Sequence, residues 1–213
     1  MLLQLVKKDF LIVKKYILLM LAVCIIFPVF LIWSAPENAG ILGFVLMTVF
    51  SIFMLLQYVS LKETQYPKAS TLLCALPISR KYVVLSKYIF CILIYFACCL
   101  IFGIESFLFP QLRFVKFEIP VFLFLAVSLV LGVYLPLQYK LGYEKTKLFF
   151  IVLIMASPFV FAQSLKMKYS LDESLLWQEY RVIMLAGSFI ISVLVLLVSS
   201  AISIRIYKEA DLS

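Results

Sequence analysis

The chain has 213 residues, 65% of them hydrophobic and 14% charged, with a mean hydropathy of +1.14 and a net charge of +8. A water-soluble domain carries about 25% charged residues, so these values exclude one and place the chain in a lipid bilayer. Nothing resembles the alternating ten-residue strands of an outer-membrane barrel. The expected fold class is an all-α membrane protein.

Residues 1–15, MLLQLVKKDFLIVKK, are too polar to span. At about 100° per residue, Gln4, Lys7, Lys8, Lys14 and Lys15 gather on one side. Leu2, Leu3, Val6, Phe10 and Val13 gather on the other. This pattern predicts an amphipathic helix lying flat at the cytoplasmic interface. Leu11 falls among the lysines and Asp9 on the apolar side, so Asp9 either snorkels or pairs with a basic residue of a cytoplasmic loop.

Six blocks then meet or approach the roughly 20 apolar residues that a spanning helix needs: 16–35, 39–61, 82–104, 119–139, 148–163 and 181–204. Backbone groups in lipid must be satisfied within their own segment, so helices are expected throughout. The first block runs too long for the apolar region of a cleaved signal and ends in WSAPENAG without a convincing cleavage site. Between the second and third blocks stands KETQYPKASTLLCALPISRKY, residues 62–82. Within it, 68–76 can form a short helix with Leu72, Leu73 and Leu76 on one side and Lys68, Ser70 and Thr71 towards another. Pro77 ends that helix and Ser79 caps the next.

Glu105 is expected at the outer membrane edge, and Gly142 at a helix end that needs a left-handed residue. The fifth block is short, contains Pro158, and is expected to bend near its outer end. Ser170 and Glu173 form a capping box opening an outer helix that runs through Trp177 and Tyr180 into the sixth span. In that span Ser188, Ser192, Ser199 and Ser203 allow close helix approach, either within one subunit or across a dimer seam.

With both termini cytoplasmic, 14 of the 19 basic residues fall inside, and only Arg113, Lys116, Lys166, Lys168 and Arg181 fall outside. The asymmetry fits the positive-inside rule, so the charge reads as topology and lipid contact rather than nucleic-acid binding. The cysteines read as small buried hydrophobes. No histidine, phosphate-cradling loop or nucleophile elbow is present, which leaves no candidate catalytic residue, metal site or cofactor in this chain. No acidic residue falls deep in a predicted span, so the signature of an ion-coupled carrier is missing.

The amino-terminal KKDF helix, the E-x-x-x-P-K and LLCALPISRKYVVLSKY of the long loop, and LPLQYKLGYEKTK after the fourth span resemble the small six-span permeases of the ABC-2 group. The chain is especially similar to the membrane subunits of exporters for phenol-soluble modulins and related antimicrobial-peptide resistance systems. The resemblance covers essentially the whole chain, and LPISRKYVVLSKY is its most specific part.

It implies a single transmembrane domain over 1–213 in a bacterial plasma membrane. Two such permeases pair, as a homodimer or heterodimer, and dock two copies of a separate ABC ATPase that carries ATP and Mg²⁺. Residues 63–76 become the main coupling helix, with Glu63, Tyr66, Lys68, Thr71, Leu72, Leu73 and Leu76 facing the ATPase and Arg80 and Lys81 following. Gly142, Tyr143, Glu144 and Lys145 form a smaller second contact. The amino-terminal helix, with Lys7, Lys8, Asp9, Lys14 and Lys15, lies beside them. Amphipathic peptides are the implied cargo. Lipid or drug export, a membrane anchor that recruits a cytoplasmic partner without moving cargo, and an intramembrane enzyme are the competing readings.

Overall fold

The computed structural model of the chain describes residues 1–34, 39–66, 79–109, 112, 118–148, 152 and 175–209, and every regular element among them is helical. The elements are α1 (Leu2–Ile12), α2 (Lys14–Ser34), α3 (Ala39–Gln65), α4 (Arg80–Leu108), α5 (Glu118–Leu141) and α6 (Leu175–Glu209). All but α1 are long and apolar enough to cross a membrane. The fifth predicted block, 148–163, lies outside the described residues except for Leu148 and Val152, as does the capping box at Ser170 and Glu173.

One expected boundary moves and one is met. The second span does not stop near Leu61 but continues through α3 to Gln65, which carries Glu63 onto the end of a long helix. The sixth is one helix from Leu175, so Trp177 and Tyr180 do run into the span as expected. A helix in lipid stops where its last carbonyls find other donors. At the end of α5, Gly142 takes φ +81° and its amide bonds the Gln138 carbonyl at 3.0 Å, the left-handed cap its position predicted.

α3 is the most buried of the spans, with a half-buried stripe through Leu42, Leu46, Phe50, Met54 and Leu61, and forms the centre of the bundle. α2 touches it through a single stripe, Met20, Cys24 and Pro28, spaced one helical turn apart. Opposite that stripe is Gly43, where a Cβ would lie 3.2 Å from the Pro28 Cα. α5 and α6 form the most extensive pair, α2 packs on α3, and α1 packs chiefly on α4.

Helix pairs in lipid gain little from hydrophobicity and depend on close packing and polar ties, and the α4–α5–α6 seam uses both. Ser199 donates to the Gly132 carbonyl at 2.8 Å, so it accepts from the Tyr88 hydroxyl at 2.6 Å, leaving Ser203 to donate to Tyr88 at 2.9 Å. Ser188, Ser192, Ser199 and Ser203 are all buried within this one chain. The serine stripe is therefore an internal seam and not the dimer seam that its spacing also allowed.

The chain direction alternates, so one end of the bundle gathers α1, the last turns of α3, α5 and α6, and the first turns of α2 and α4. This is called the basic end below. The opposite end brings together the start of α3, the end of α4 and the starts of α5 and α6. It is held by rings, with Phe44 against Phe102 at 5.0 Å, Tyr95 against Phe124 at 5.1 Å and Phe124 against Phe189 at 5.9 Å.

Candidate functional site

At the basic end, four charged side chains from three helices meet. Glu63, in the last turn of α3, places one carboxylate oxygen 2.5 Å from Lys87 Nζ of α4 and the other 3.5 Å from Lys8 Nζ of α1. Lys8 also lies 3.1 Å from Asp9, and Asp9 accepts from the Ser86 hydroxyl of α4 at 3.3 Å. Lys87 in turn stands over the Tyr139 ring of α5, 5.3 Å from its centroid. One turn back along α3, Ser60 accepts from the Gln138 amide of α5. α1, α3, α4 and α5 are thus joined by polar ties at the last two turns of α3 and the first two of α4.

Magnitudes rank these ties. The Lys87 side chain is 6% exposed, and stripping such an ion of water costs several kcal/mol. Only a close opposite charge offsets that, so Lys87 and Glu63 hold each other in one register. Glu63 retains 28% exposure, which places the pair at the rim of the buried region. The Lys8–Asp9 contact involves a part-exposed ammonium and contributes well under about 1 kcal/mol. Burial pushes the Asp9 carboxyl above its ordinary value; Lys8 draws it down, Glu63 pushes it up, and the rise prevails.

Asp9 follows neither alternative drawn from the sequence: it turns inward onto Ser86 of α4, and its ion partner is Lys8 of its own helix rather than a basic residue of a loop. The face of α1 that packs is Leu5, Val6, Asp9 and Val13, with Phe10 edge-on to Phe90 at 4.9 Å. Leu3, expected on the apolar face, is instead 78% exposed, and Leu11 is exposed among the lysines as its position implied. The buried stripe is rotated relative to the expected one because α1 docks on another helix rather than resting on lipid alone. Lys7, Lys14 and Lys15 are exposed.

Of the expected contact residues, Tyr66 is exposed just beyond α3 and Lys81 is exposed in the first turn of α4. Arg80 opens α4. Lys68, Thr71, Leu72, Leu73 and Leu76 lie outside the described residues. Gly142 begins a short helical stretch, 143–148, in which Tyr143 is buried while Glu144 and Lys145 are exposed. Burial raises the Tyr143 phenol above its ordinary value, and Glu144 adds to the rise.

Lys87 is the residue that sequence reasoning missed. It was counted only as a charge near the membrane edge. A signal was available: Val84, Lys87, Tyr88 and Cys91 form one helical stripe, and three of its four members are apolar or aromatic. A lysine on such a stripe is buried and needs a partner.

At the opposite end, Glu118 opens α5 as a buried residue, and Glu105, in the last turn of α4, is only 5% exposed; among the described residues neither carboxylate oxygen of Glu105 has a hydrogen-bond partner. The sequence placed it at the edge but gave no hint of this burial. Beside it, on a different face of α4, a cavity of about 770 Å³ opens between α4, α5 and α6 and is lined mainly by aromatic rings. Among the described residues no group of three or more His, Cys, Asp or Glu is placed to hold a metal ion.

A family model described as ABC-2 family transporter protein matches residues 4–208. No curated protein and no solved structure matches the chain.

Proposed function

The chain belongs to the ABC-2 family of transporter proteins, a multi-pass membrane component by its five apolar helices, and from that premise we propose that it is the permease subunit of an ATP-driven exporter. Permeases of this family associate with an ABC ATPase. In this reading the ATPase, bound in two copies to a permease pair, carries the ATP and Mg²⁺ and does all the hydrolysis. The lysine and arginine distribution favours both termini in the cytoplasm, and a bacterial plasma membrane is what the resemblance implies.

The observation that carries the proposal is the Glu63–Lys87 contact. The segment between Tyr66 and Ser79 joins α3 to α4, and its two anchors are locked to each other by a buried ion pair. A force on that segment therefore cannot move one helix alone. It moves α3 and α4 together, and through Lys8, Asp9 and Ser86 it carries α1 as well. Lys68, Thr71, Leu72, Leu73 and Leu76 would receive the push, with Tyr66, Arg80 and Lys81 at its borders. The exposed Glu144 and Lys145, seated on the buried Tyr143, would form the second foothold. Closure of the two ATPases on ATP then draws the two permeases' segments together and reshapes the far end of the bundle.

Amphipathic peptides are the proposed cargo, a reading that rests on the resemblance to peptide exporters. The test is purification from native membranes followed by transport. The chain should hydrolyse no ATP alone and should co-purify with a nucleotide-binding subunit. Inverted vesicles holding the complex should take up a labelled amphipathic helical peptide only with ATP. Hydrolysis without uptake of peptide, lipid or drug probes would instead make the chain an anchor for its partner.

A further inference from the structure

We propose that the aromatic cavity at the end opposite the charge cluster is a lateral binding site for one acyl chain of a membrane phospholipid. The cavity is bounded by Phe44, Tyr95, Phe102 and Phe124 on its inner side, and by Phe96 and Phe189 at its mouth. The inner four are buried; Phe96 and Phe189 are each about half exposed. Around them, Leu93, Leu100 and Ile104 of α4 and Val182 and Ile190 of α6 are exposed apolar side chains. The mouth is therefore continuous with the hydrocarbon-facing surface of two spanning helices.

The chemistry of the lining selects the occupant. The Tyr95 hydroxyl donates to the Pro120 carbonyl at 2.5 Å, and the Ser106 hydroxyl to the Gly103 carbonyl at 2.8 Å. Neither has its proton free for a guest, and among the described residues no charged side chain lines the space. A peptide backbone entering here would leave its amides and carbonyls unpaired, which is costly in an apolar setting. A hydrocarbon chain loses nothing. At about 30 Å³ for a methylene, close to the share of a water molecule, 770 Å³ exceeds the needs of a single long acyl chain. Protein interiors rarely keep gaps of this size, and the fluid at the mouth is the bilayer itself.

Gly103 supplies the means of blocking the site. It lines the cavity, and a Cβ built there meets nothing within 4 Å. Gly103→Leu therefore fills space without a clash at its root. Gly187→Leu, on α6 and outside the lining, is equally unhindered and serves as the control.

The experiment uses the full chain in phospholipid vesicles whose acyl chains are brominated, with Trp33 and Trp177 replaced by Phe. Phe102→Trp then places a fluorophore on the buried wall. Phe189→Trp, at the mouth, should be quenched by the surrounding lipid in every variant and so reports proper insertion. The proposal expects Trp at position 102 to lose most of its emission in brominated vesicles. Gly103→Leu should restore that emission and Gly187→Leu should not. Undiminished emission at position 102, or quenching that survives Gly103→Leu, overturns the assignment. Emission that is indifferent to bromine but altered by an added amphipathic helical peptide makes the cavity a peptide site and overturns it too.

Discussion

The two ends of this bundle are built by different means. The basic end is tied by charge and hydrogen bonds, with α1, α3, α4 and α5 meeting at Glu63, Lys87, Asp9 and Ser60. The opposite end is held mainly by ring contacts and encloses a cavity, and among the described residues the buried Glu105 carboxylate has no hydrogen-bond partner. Polar ties are directional and fix one register. Ring contacts tolerate sliding and tilt. A molecule pushed at the first end and required to open at the second would need this division, with a stiff lever below and a compliant wall above.

The contrast can be broken most severely at the lever. Glu63→Leu strands a buried lysine, and loss of one partner from such a pair costs about 3–5 kcal/mol. The exposure of Glu63 argues for the lower value. Glu63→Leu with Lys87→Met should recover most of the loss, because no uncompensated charge remains. Unfolding in mild detergent, run as a double-mutant cycle, measures both.

A smaller loss is expected at the α5–α6 seam. A Cβ on Gly132 would stand 2.9 Å from the Val195 Cγ1, and the β-branched Val195 has little freedom to turn away. Gly132→Leu should cost about 2 kcal/mol through overpacking. Gly103→Ala, at the roomy end, should instead stabilise by up to about 1 kcal/mol, the helix-propensity gain with no steric charge against it. Equal effects at the two glycines would erase the proposed difference in packing.

Glu105 sharpens the comparison from the other side. Its carboxylate is buried without a hydrogen bond among the described residues, so Glu105→Leu should raise the melting temperature, whereas the same change at Glu63 lowers it. If both lower it, the far-end carboxylate has a structural role that the packing does not explain.

The smallest effect concerns α1. The Asp9 carboxyl is held above its ordinary value, chiefly by burial, so the folded protein favours its protonated form. The stability it contributes is complete below the ordinary aspartate range, and it is lost as pH rises through the raised value. At neutral pH Asp9 is therefore a modest burden on docking. Asp9→Asn keeps an acceptor for Ser86 and should raise the neutral melting temperature slightly, with the difference vanishing in acid. A difference that grows in acid would contradict the assignment.

Much of this architecture was legible in one dimension. Hydropathy located α2 to α6 to within a few residues at most ends, because the requirement for lipid-compatible length acts on sequence directly. Gly142 announced its left-handed cap, and Asp9 stood out as a charge on an apolar face. What could not be read was partnership. Glu63 and Lys87 are 24 residues apart; the stripe around Lys87 marks it for burial, but nothing beside it points to Glu63. Their meeting depends on how far α3 extends and how α4 is rotated. The serines of α6 illustrate the same point, since small-residue spacing permits a close approach without saying to which helix.

The central claim is that the Glu63–Lys87 contact transmits work from the ATPase to the spans. Its most direct test is the ratio of peptide transported to ATP hydrolysed in the reconstituted complex. Glu63→Gln should leave hydrolysis running while transport falls, and exchanging the two charges, Glu63→Lys with Lys87→Glu, should bring the ratio part of the way back. A ratio unchanged by Glu63→Gln, in a complex that still assembles, would contradict the account.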